Sequence, residues 1–574
     1  MGQSKVGREA VERAGWCMAT GALLWATGCT GLIGGEQGRS GPDGPGASAG
    51  ASNAGGSGPG TAGSGNLAGG QNPDAGSPIQ AAPTWRLTNR EYVSSVRDLL
   101  GVTVTTPLDP DGAAAGYRAG LAAGDRTVEA YYTAAVEAAA SADLLALVPC
   151  DAAAVAATPS ACAEELIDTL ARKAFRRTPD AETSAALLAL FELVSAQYGF
   201  EAGVQAVVEQ LLQSPYFLYH LELEEQAQGP GAVKVAGYSM ASRLSYLIWG
   251  TTPDDTLLDK AEAGELSTPE QIKAEAARLI ADPRAAEGLR TFYEQWLHAD
   301  TLPPVKTGKY TGVYDAAMRA SILASFTAQV DASLWSPNGV ALLMGATQAF
   351  ANEHTAPLFG VAGVTGTELR VVDVNPQERV GILGHPAIMG AIATENGTNP
   401  IRRGVFVWDQ LLCQELPSPP TDVPVFPGIP ENASVRTAFE TFTSDTKCQG
   451  CHRMINPVGF LFENYDTLGA YTAIDDNGQP VMASGTINGA PDEALNVPTA
   501  TAADLGRNLA NSGVVAACLV KQLYRYTTKR HETSGDEASI HTLAELYATT
   551  AQSMPELLGG LTQSEAFLNR WNQE

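Results

Sequence analysis

The sequence is short of basic residues. Its 36 Lys and Arg face 63 Asp and Glu, which gives a formal net charge of -27 at pH 7. A surface this acidic repels phosphate backbones, and no cluster of Lys and Arg with interleaved aromatic residues offsets it. We therefore expect no nucleic-acid partner. Hydrophobic residues make up 44% of the 574, which is ample for several buried cores.

The apolar run near the start, residues 14–26, is too short to span a bilayer comfortably. Three basic residues precede it, and the small residues Thr27 and Gly28 follow it. This order of basic, apolar and small residues is that of a secretion signal. We interpret residues 1–28 as a signal peptide and expect the chain to be exported.

Cys29 directly follows this segment. Residues 26–29 (ATGC) resemble the lipobox of bacterial lipoproteins, in which the cysteine is diacylated and becomes the mature N-terminus. Ala26 stands where such boxes usually carry Leu, so ordinary cleavage with release is the alternative. By the same resemblance to bacterial lipoproteins, Thr30 rather than Asp after the cysteine implies sorting to the outer membrane. We expect a lipid anchor at Cys29, with the outer membrane or the periplasm as the location.

Large apolar residues are almost absent from residues 34–83, which are mostly Gly, Ser, Ala, Pro, Asn and Asp. Such a stretch cannot bury enough surface to offset the entropy of ordering it. We interpret residues 29–83 as the anchor and a flexible linker, with an r.m.s. reach of about 40 Å.

Strand patterns are scarce after residue 84, with candidates only at 347–350 and 368–374. Helical patterns are frequent, and capping residues mark their starts at Thr88, Thr178 and Thr268. Large aromatic residues among them are expected in the core, namely Tyr216, Phe217, Tyr246, Trp249 and Trp296. We predict a mainly α, multi-domain body with segments 84–148, 149–225, 233–360, 376–490 and 498–574.

Cysteines are few, eight in all, but Cys448, Cys451 and His452 form a C-x-x-C-H motif. This motif attaches c-type haem: the two thiols add to the two vinyl groups, and the histidine becomes the proximal iron ligand. The composition predicts such a motif by chance on the order of once per thousand chains. We expect one covalent haem c, which is attached outside the cytoplasm, where the signal peptide directs the chain.

The surrounding sequence disfavours two other uses of this motif. A thioredoxin-type redox disulfide would need a βαβ context, which the surrounding sequence lacks. A zinc site would need a fourth ligand, and no second C-x-x-C or H-x-x-x-H pair is present.

A family resemblance rests on several longer motifs in a fixed order. They are 87–92 (LTNREY), 174–177 (AFRR), 213–217 (QSPYF), 243–249 (RLSYLIW), 402–407 (RRGVFV), 411–413 (LLC), the C-x-x-C-H, and 456–469 (NPVGFLFENYDTLG). Together they resemble the multi-domain, planctomycete-type cytochrome family, which combines several uncharacterised helical domains with a C-terminal C-x-x-C-H. The resemblance implies extracytoplasmic electron transfer or haem-based redox chemistry, and it brings no substrate.

The surroundings of the iron are less well defined. The second ring nitrogen of His452 is expected to donate to a backbone carbonyl in a turn at Asn456-Pro457. Met482 is a candidate distal ligand, beyond a β-hairpin predicted at 474–479 with Asn-Gly in a type I′ turn. Related proteins usually carry Asp at that position. Three further candidates, and an empty or water-filled distal site, stay open: Met389, His385 and His531.

Two arginines and three polar residues are further candidates for contacts around the haem. Arg402 and Arg403 could neutralise haem propionates, and exposed arginines without such a role are the alternative. Glu463, Asn464 and Asp466 are expected to tie the loop after the haem motif to the hairpin.

Once Cys17 in the signal peptide, Cys29 and the two cysteines of the C-x-x-C-H are set aside, four of the eight cysteines remain: Cys150, Cys162, Cys413 and Cys518. An even remainder in an oxidising compartment predicts two disulfides. We expect a local Cys150–Cys162 bond and a Cys413–Cys518 bond to the last domain, although four thiols permit three pairings.

The leading functional hypothesis is a monohaem electron-transfer lipoprotein with an unknown redox partner protein. A haem enzyme of peroxidase or oxygenase type, acting on an extracellular polymer, is the first alternative. A structural or binding surface lipoprotein is the second. An open distal site would favour the enzyme.

Overall fold

The computed structural model describes residues 85–121, 124–223, 231–394, 397–417, 422–431, 433–475 and 478–572. The predicted signal peptide, Cys29 and the linker lie outside these residues. All described residues belong to one compact unit.

Helices dominate this unit, as the sequence predicts. The first eleven are α1 (Asn89–Leu100), α2 (Asp125–Ser141), α3 (Ala152–Ala157), α4 (Pro159–Phe175), α5 (Ala181–Tyr198), α6 (Phe200–Gln213), α7 (Pro215–Leu218), α8 (Gly237–Ile248), α9 (Asp255–Glu262), α10 (Pro269–Ile280) and α11 (Arg284–Trp296). The others are α12 (Ala316–Leu334), α13 (Gly339–Gly345), α14 (Pro386–Ile392), α15 (Pro400–Phe406), α16 (Val435–Phe442), α17 (Thr446–Phe460), α18 (Ala502–Ala510), α19 (Val514–Thr528), α20 (Glu537–Thr549), α21 (Met554–Leu561) and α22 (Glu565–Leu568). A π-helical segment, Val407–Leu411, extends α15.

The strands of the described residues pair into small antiparallel sheets of two strands each. The pairs are β1 (Gly112–Ala114) with β2 (Tyr117–Ala119), β3 (Gly231–Lys234) with β8 (Asn569–Asn572), β4 (Gln348–Ala351) with β5 (Arg370–Asp373), and β6 (Gly485–Thr486) with β7 (Pro498–Thr499). The two predicted strand segments, 347–350 and 368–374, are thus confirmed as one pair.

Two of the three predicted helix starts are confirmed. Thr88 and Thr268 each form a capping box with the residue three positions on, Glu91 and Gln271. The third is wrong by two residues, because Asp180 caps α5 rather than Thr178. A carboxylate and a hydroxyl both accept well from backbone N–H groups, so the pattern alone does not separate them.

The hairpin after the haem motif is smaller than expected. Its flanks form one antiparallel bridge, Ile474 with Pro480, and the N–H of Asp475 donates to the carbonyl of Gln479. Gly478 has φ +75° and donates to the carbonyl of Asp475. Gly478 is therefore the last residue of the turn, not a central one, so the predicted type I′ assignment is wrong.

Two hydrophobic clusters carry most of the burial. One consists of residues between 87 and 217 together with Tyr246. The larger one consists of residues between 235 and 567 together with Tyr117, and it includes the fully buried Trp296 and Trp408. No described helix has the length and apolar character needed to cross a membrane.

Arg176 joins three of the family-like motifs. It sits at the left-handed end of α4 with φ +59°, and only 4% of it is exposed. Its guanidinium donates to the carbonyls of Tyr216, Phe217 and Tyr219 at 2.7–3.0 Å and to the Tyr246 hydroxyl at 3.1 Å. Segments 174–177, 213–217 and 243–249 therefore share one buried cation.

Both predicted disulfides are confirmed. Cys150 bonds Cys162 across 12 residues, and Cys413 bonds Cys518 across 105. In the second bond, Cys413 follows the π-helical segment and Cys518 lies in α19. The bond therefore closes a loop that contains the whole C-x-x-C-H region.

Replacing Arg176 by Met should lower the free energy of unfolding by at least about 3 kcal/mol. Four buried acceptors would lose their donor, and each unsatisfied buried group costs roughly 1–3 kcal/mol. Arg126→Met is the matched control, since Arg126 is exposed on α2 and should change stability by less than about 0.5 kcal/mol. Denaturant unfolding of both variants measures the difference. Equal unfolding midpoints would contradict the role of Arg176 in holding the three segments together.

Candidate haem-attachment site

The helix that carries the C-x-x-C-H, α17, crosses α15 with backbone against backbone. A Cβ at Gly459 would overlap the carbonyl of Pro400, and one at Gly404 would overlap the carbonyl of Ile455. On a second side, a Cβ at Gly485 of β6 would overlap the carbonyl of Pro457. Glycine at these positions therefore sets how closely α17 is held.

The motif occupies the first half of α17. Asp445 caps the helix and accepts from the N–H of Lys447. Cys448, Cys451 and His452 follow at spacings of three and four, which places them on one face of the helix. All three are half-buried, and both thiols are free, whereas the other four described cysteines are disulfide-bonded.

His452 is held by a polar relay. Its Nδ1 lies 2.8 Å from Oδ1 of Asn456, and Nδ2 of Asn456 donates to Oγ1 of Thr443 at 2.8 Å. Thr443 in turn donates to the carbonyl of Phe439 at 2.8 Å. Among the described residues, Nε2 of His452 has no hydrogen-bond partner.

This relay corrects the expected neighbour of His452. The acceptor is a side-chain amide and not a backbone carbonyl, and residues 456–457 lie inside α17 rather than in a turn. Pro457 is tolerated there, although proline removes one intrahelical hydrogen bond. The i to i+4 spacing of His452 and Asn456 was a signal for this contact. Thr443, in the preceding helix cap, carried no such signal.

The two arginines proposed for propionates lie in different environments. Arg402 is exposed on α15. Arg403 is fully buried, and donates to the carbonyls of Phe462 and Asp466 at 2.7 and 2.9 Å and to Glu463 Oε1 at 3.3 Å. The guanidinium of Arg403 thus holds the segment after α17, and its role toward haem propionates stays a prediction.

The acidic and amide residues after α17 point in three directions. Asn464 bonds Thr472 through both backbone and side chain, which ties this loop to the bridge region as expected. Asp466 instead accepts from Tyr310 at 2.8 Å and pairs with Lys309 at 2.5 Å. It therefore contacts the short 3-10 segment Gly308–Tyr310. Glu463 faces Arg403, and burial raises the pKa of its carboxyl to about 7.

The four candidates for the distal ligand lie in very different environments. Met482 is 56% exposed, and its backbone carbonyl accepts from Arg436. His385 caps α14 through Nδ1, contacts Ser325 through Nε2, and is buried, which lowers its pKa to about 3. Met389 is fully buried, and His531 is 62% exposed beside Glu415. The described contacts place none of them opposite His452.

The described residues contain no group of three or more His, Cys, Asp or Glu side chains arranged to hold a metal ion. Porphyrin brings its own four nitrogens, so a haem needs only the one imidazole and the two thiols from this helix.

Five family models match the described chain in succession, each described as a protein of unknown function. They are DUF1587 at residues 85–143, DUF1595 at 162–222, DUF1592 at 235–361, DUF1588 at 379–475 and DUF1585 at 498–567. The chain is built from planctomycete-type domains.

These planctomycete-type domains form a cytochrome-associated family, which confirms the family membership that the motifs predict. The C-x-x-C-H lies within the DUF1588 match. No curated protein and no solved structure matches the chain.

Gly459→Ala should destabilise the planctomycete-type chain by about 3 kcal/mol or more, because the added methyl group meets the Pro400 carbonyl and two helices must move apart. Gly450→Ala, in the same helix, is the control. Its added Cβ has no atom within 4 Å, so it should be neutral or stabilise by up to about 1 kcal/mol. Thermal unfolding of the two variants measures both effects, and an equal loss in both would contradict the close crossing.

Proposed function

We propose that this planctomycete-type chain is an exported, lipid-anchored protein that carries one haem c and transfers electrons. Haem is attached through Cys448 and Cys451, with His452 as proximal ligand. The redox partner is a protein, and the membrane is contacted through Cys29. The observation that carries the proposal is a pair of free thiols, beside a histidine with a free Nε2, in a chain that bonds its other described cysteines.

The donor set of α17 fits this cofactor. Two thiols one helical turn apart can reach two adjacent vinyl groups, and the next residue presents an imidazole from the same face. All three side chains are half-buried, so they are accessible to a haem added after or during folding.

When bound, haem supplies a one-electron couple at its iron. The chain's own contribution is attachment, orientation and insulation. The glycine contacts of α17 with α15 hold the helix, and the Asn456 contact fixes the ring of His452. The acidic surface, at a net charge of -27, favours a partner with a basic docking face.

Attachment is tested by the intact mass of the mature chain, produced in a bacterial host with a cytochrome-maturation system. We expect the mass of a chain that begins at Cys29 and carries acyl groups and one haem. We also expect a haem stain that survives denaturing electrophoresis. Cys448→Ser with Cys451→Ser should lose the haem and keep the acyl groups, and Cys29→Ser should do the reverse. A wild-type mass without porphyrin refutes the haem assignment, and a mass without acyl groups refutes the anchor.

Electron transfer is distinguished from haem catalysis by low-temperature electron paramagnetic resonance of the oxidised protein. A carrier is expected to show six-coordinate, low-spin iron. If Met482 supplies the sixth ligand, Met482→Ala converts the signal to high spin. Because Met482 is exposed, this substitution should not impair folding. High-spin iron in the wild type, with ready cyanide binding, would contradict the carrier role and favour the enzyme.

A further inference from the structure

The relay behind His452 determines which ring nitrogen carries the proton. Thr443 Oγ1 lies 2.8 Å from the Phe439 carbonyl, which can only accept a hydrogen bond. The single hydroxyl proton of Thr443 is therefore used in that bond. Toward any other neighbour, Oγ1 acts as an acceptor.

That other neighbour is the amide of Asn456, at 2.8 Å. Only the NH₂ end of an amide can donate to an oxygen, so Nδ2 must face Thr443 and Oδ1 must face His452. Asn456 is 7% exposed and Thr443 is 1% exposed, so water competes little for either group. The amide orientation follows from this network.

An amide oxygen cannot donate, so Nδ1 of His452, 2.8 Å away, must carry the proton. In the neutral imidazole, Nε2 then holds the free lone pair. This is the tautomer that can bind a metal through Nε2, and it exists before any ligand arrives.

We propose that Asn456, oriented by Thr443, is the positioning residue that holds His452 in the Nδ1-protonated form and sets its donor strength toward haem iron. The second half of this statement rests on the proposed function, and the first half does not. A neutral amide acceptor polarises the Nδ1–H bond less than a carboxylate would, and so leaves the imidazole a weaker electron donor.

The tautomer is tested without haem. The full-length chain with Cys448→Ala and Cys451→Ala is labelled with ¹⁵N-histidine, and His452→Ala in the same background assigns the signal. We expect a protonated Nδ1 and a bare Nε2. Thr443→Val should mix the two tautomers because the amide can rotate, and Thr443→Ser should restore the single form. A dominant Nε2-protonated His452 in the parent chain overturns the proposal.

Donor strength is tested on the haem-loaded protein by its reduction potential. Asn456→Asp should lower the potential, because an anionic acceptor makes the imidazole more basic and stabilises ferric iron. Asn456→Leu should raise it. We expect the two variants to differ at least tenfold in the one-electron equilibrium constant, which is about 59 mV.

Gln449→Ala is the matched control. Gln449 is exposed on α17 and donates to the backbone carbonyl of Thr443 at 2.7 Å, so its loss leaves the hydroxyl and the amide in place. It should change neither the tautomer nor the potential. Equal potentials in Asn456→Asp and Asn456→Leu, with haem attached in both, would overturn the tuning role. Absence of haem in the wild type would overturn the proposed function and leave the tautomer result standing.

Discussion

Buried guanidinium groups are the constraint on which this structure depends. Arg176 and Arg403 are each almost or completely inaccessible, and each binds carbonyl oxygens of one short segment that lies 40 to 63 residues further along the chain. A buried cation that lost these acceptors would be very costly, so the acceptor segments must adopt one arrangement. Five of the longer motifs, 174–177, 213–217, 243–249, 402–407 and 456–469, contribute residues to these two networks.

Helix α17 is held by a different kind of contact. Glycine at 404, 459 and 485 lets two backbone segments, α15 and β6, approach α17 closely, and this approach leaves no room for side chains between them. The helix is thus fixed by its second half, while its first half carries the free thiols and the histidine at the surface. A rigid base and an accessible end suit covalent attachment of a large planar group.

The sequence predicted those features that depend on local spacing or on simple counting. Capping boxes at Thr88 and Thr268, the strand pair near residues 348 and 371, and both disulfides follow from such signals. Burial of Arg403 and the contact of Thr443 with Asn456 depend on tertiary packing, and no spacing rule reveals them. The turn expected at Asn456-Pro457 failed because packing of α17 on both sides outweighs the local cost of proline.

The Cys413–Cys518 bond has a consequence for how the chain reaches its final covalent state. It encloses Cys448 and Cys451 within its loop of 105 residues, so four thiols lie in one stretch of chain and two of them are free in the folded structure. Cys413 lies nearer in sequence to Cys448 than to Cys518, and shorter loops close with a smaller loss of entropy. In the unfolded chain, loop entropy alone therefore favours a Cys413–Cys448 bond over the native Cys413–Cys518 bond, whereas packing of α19 beside the π-helical segment brings the native partners together.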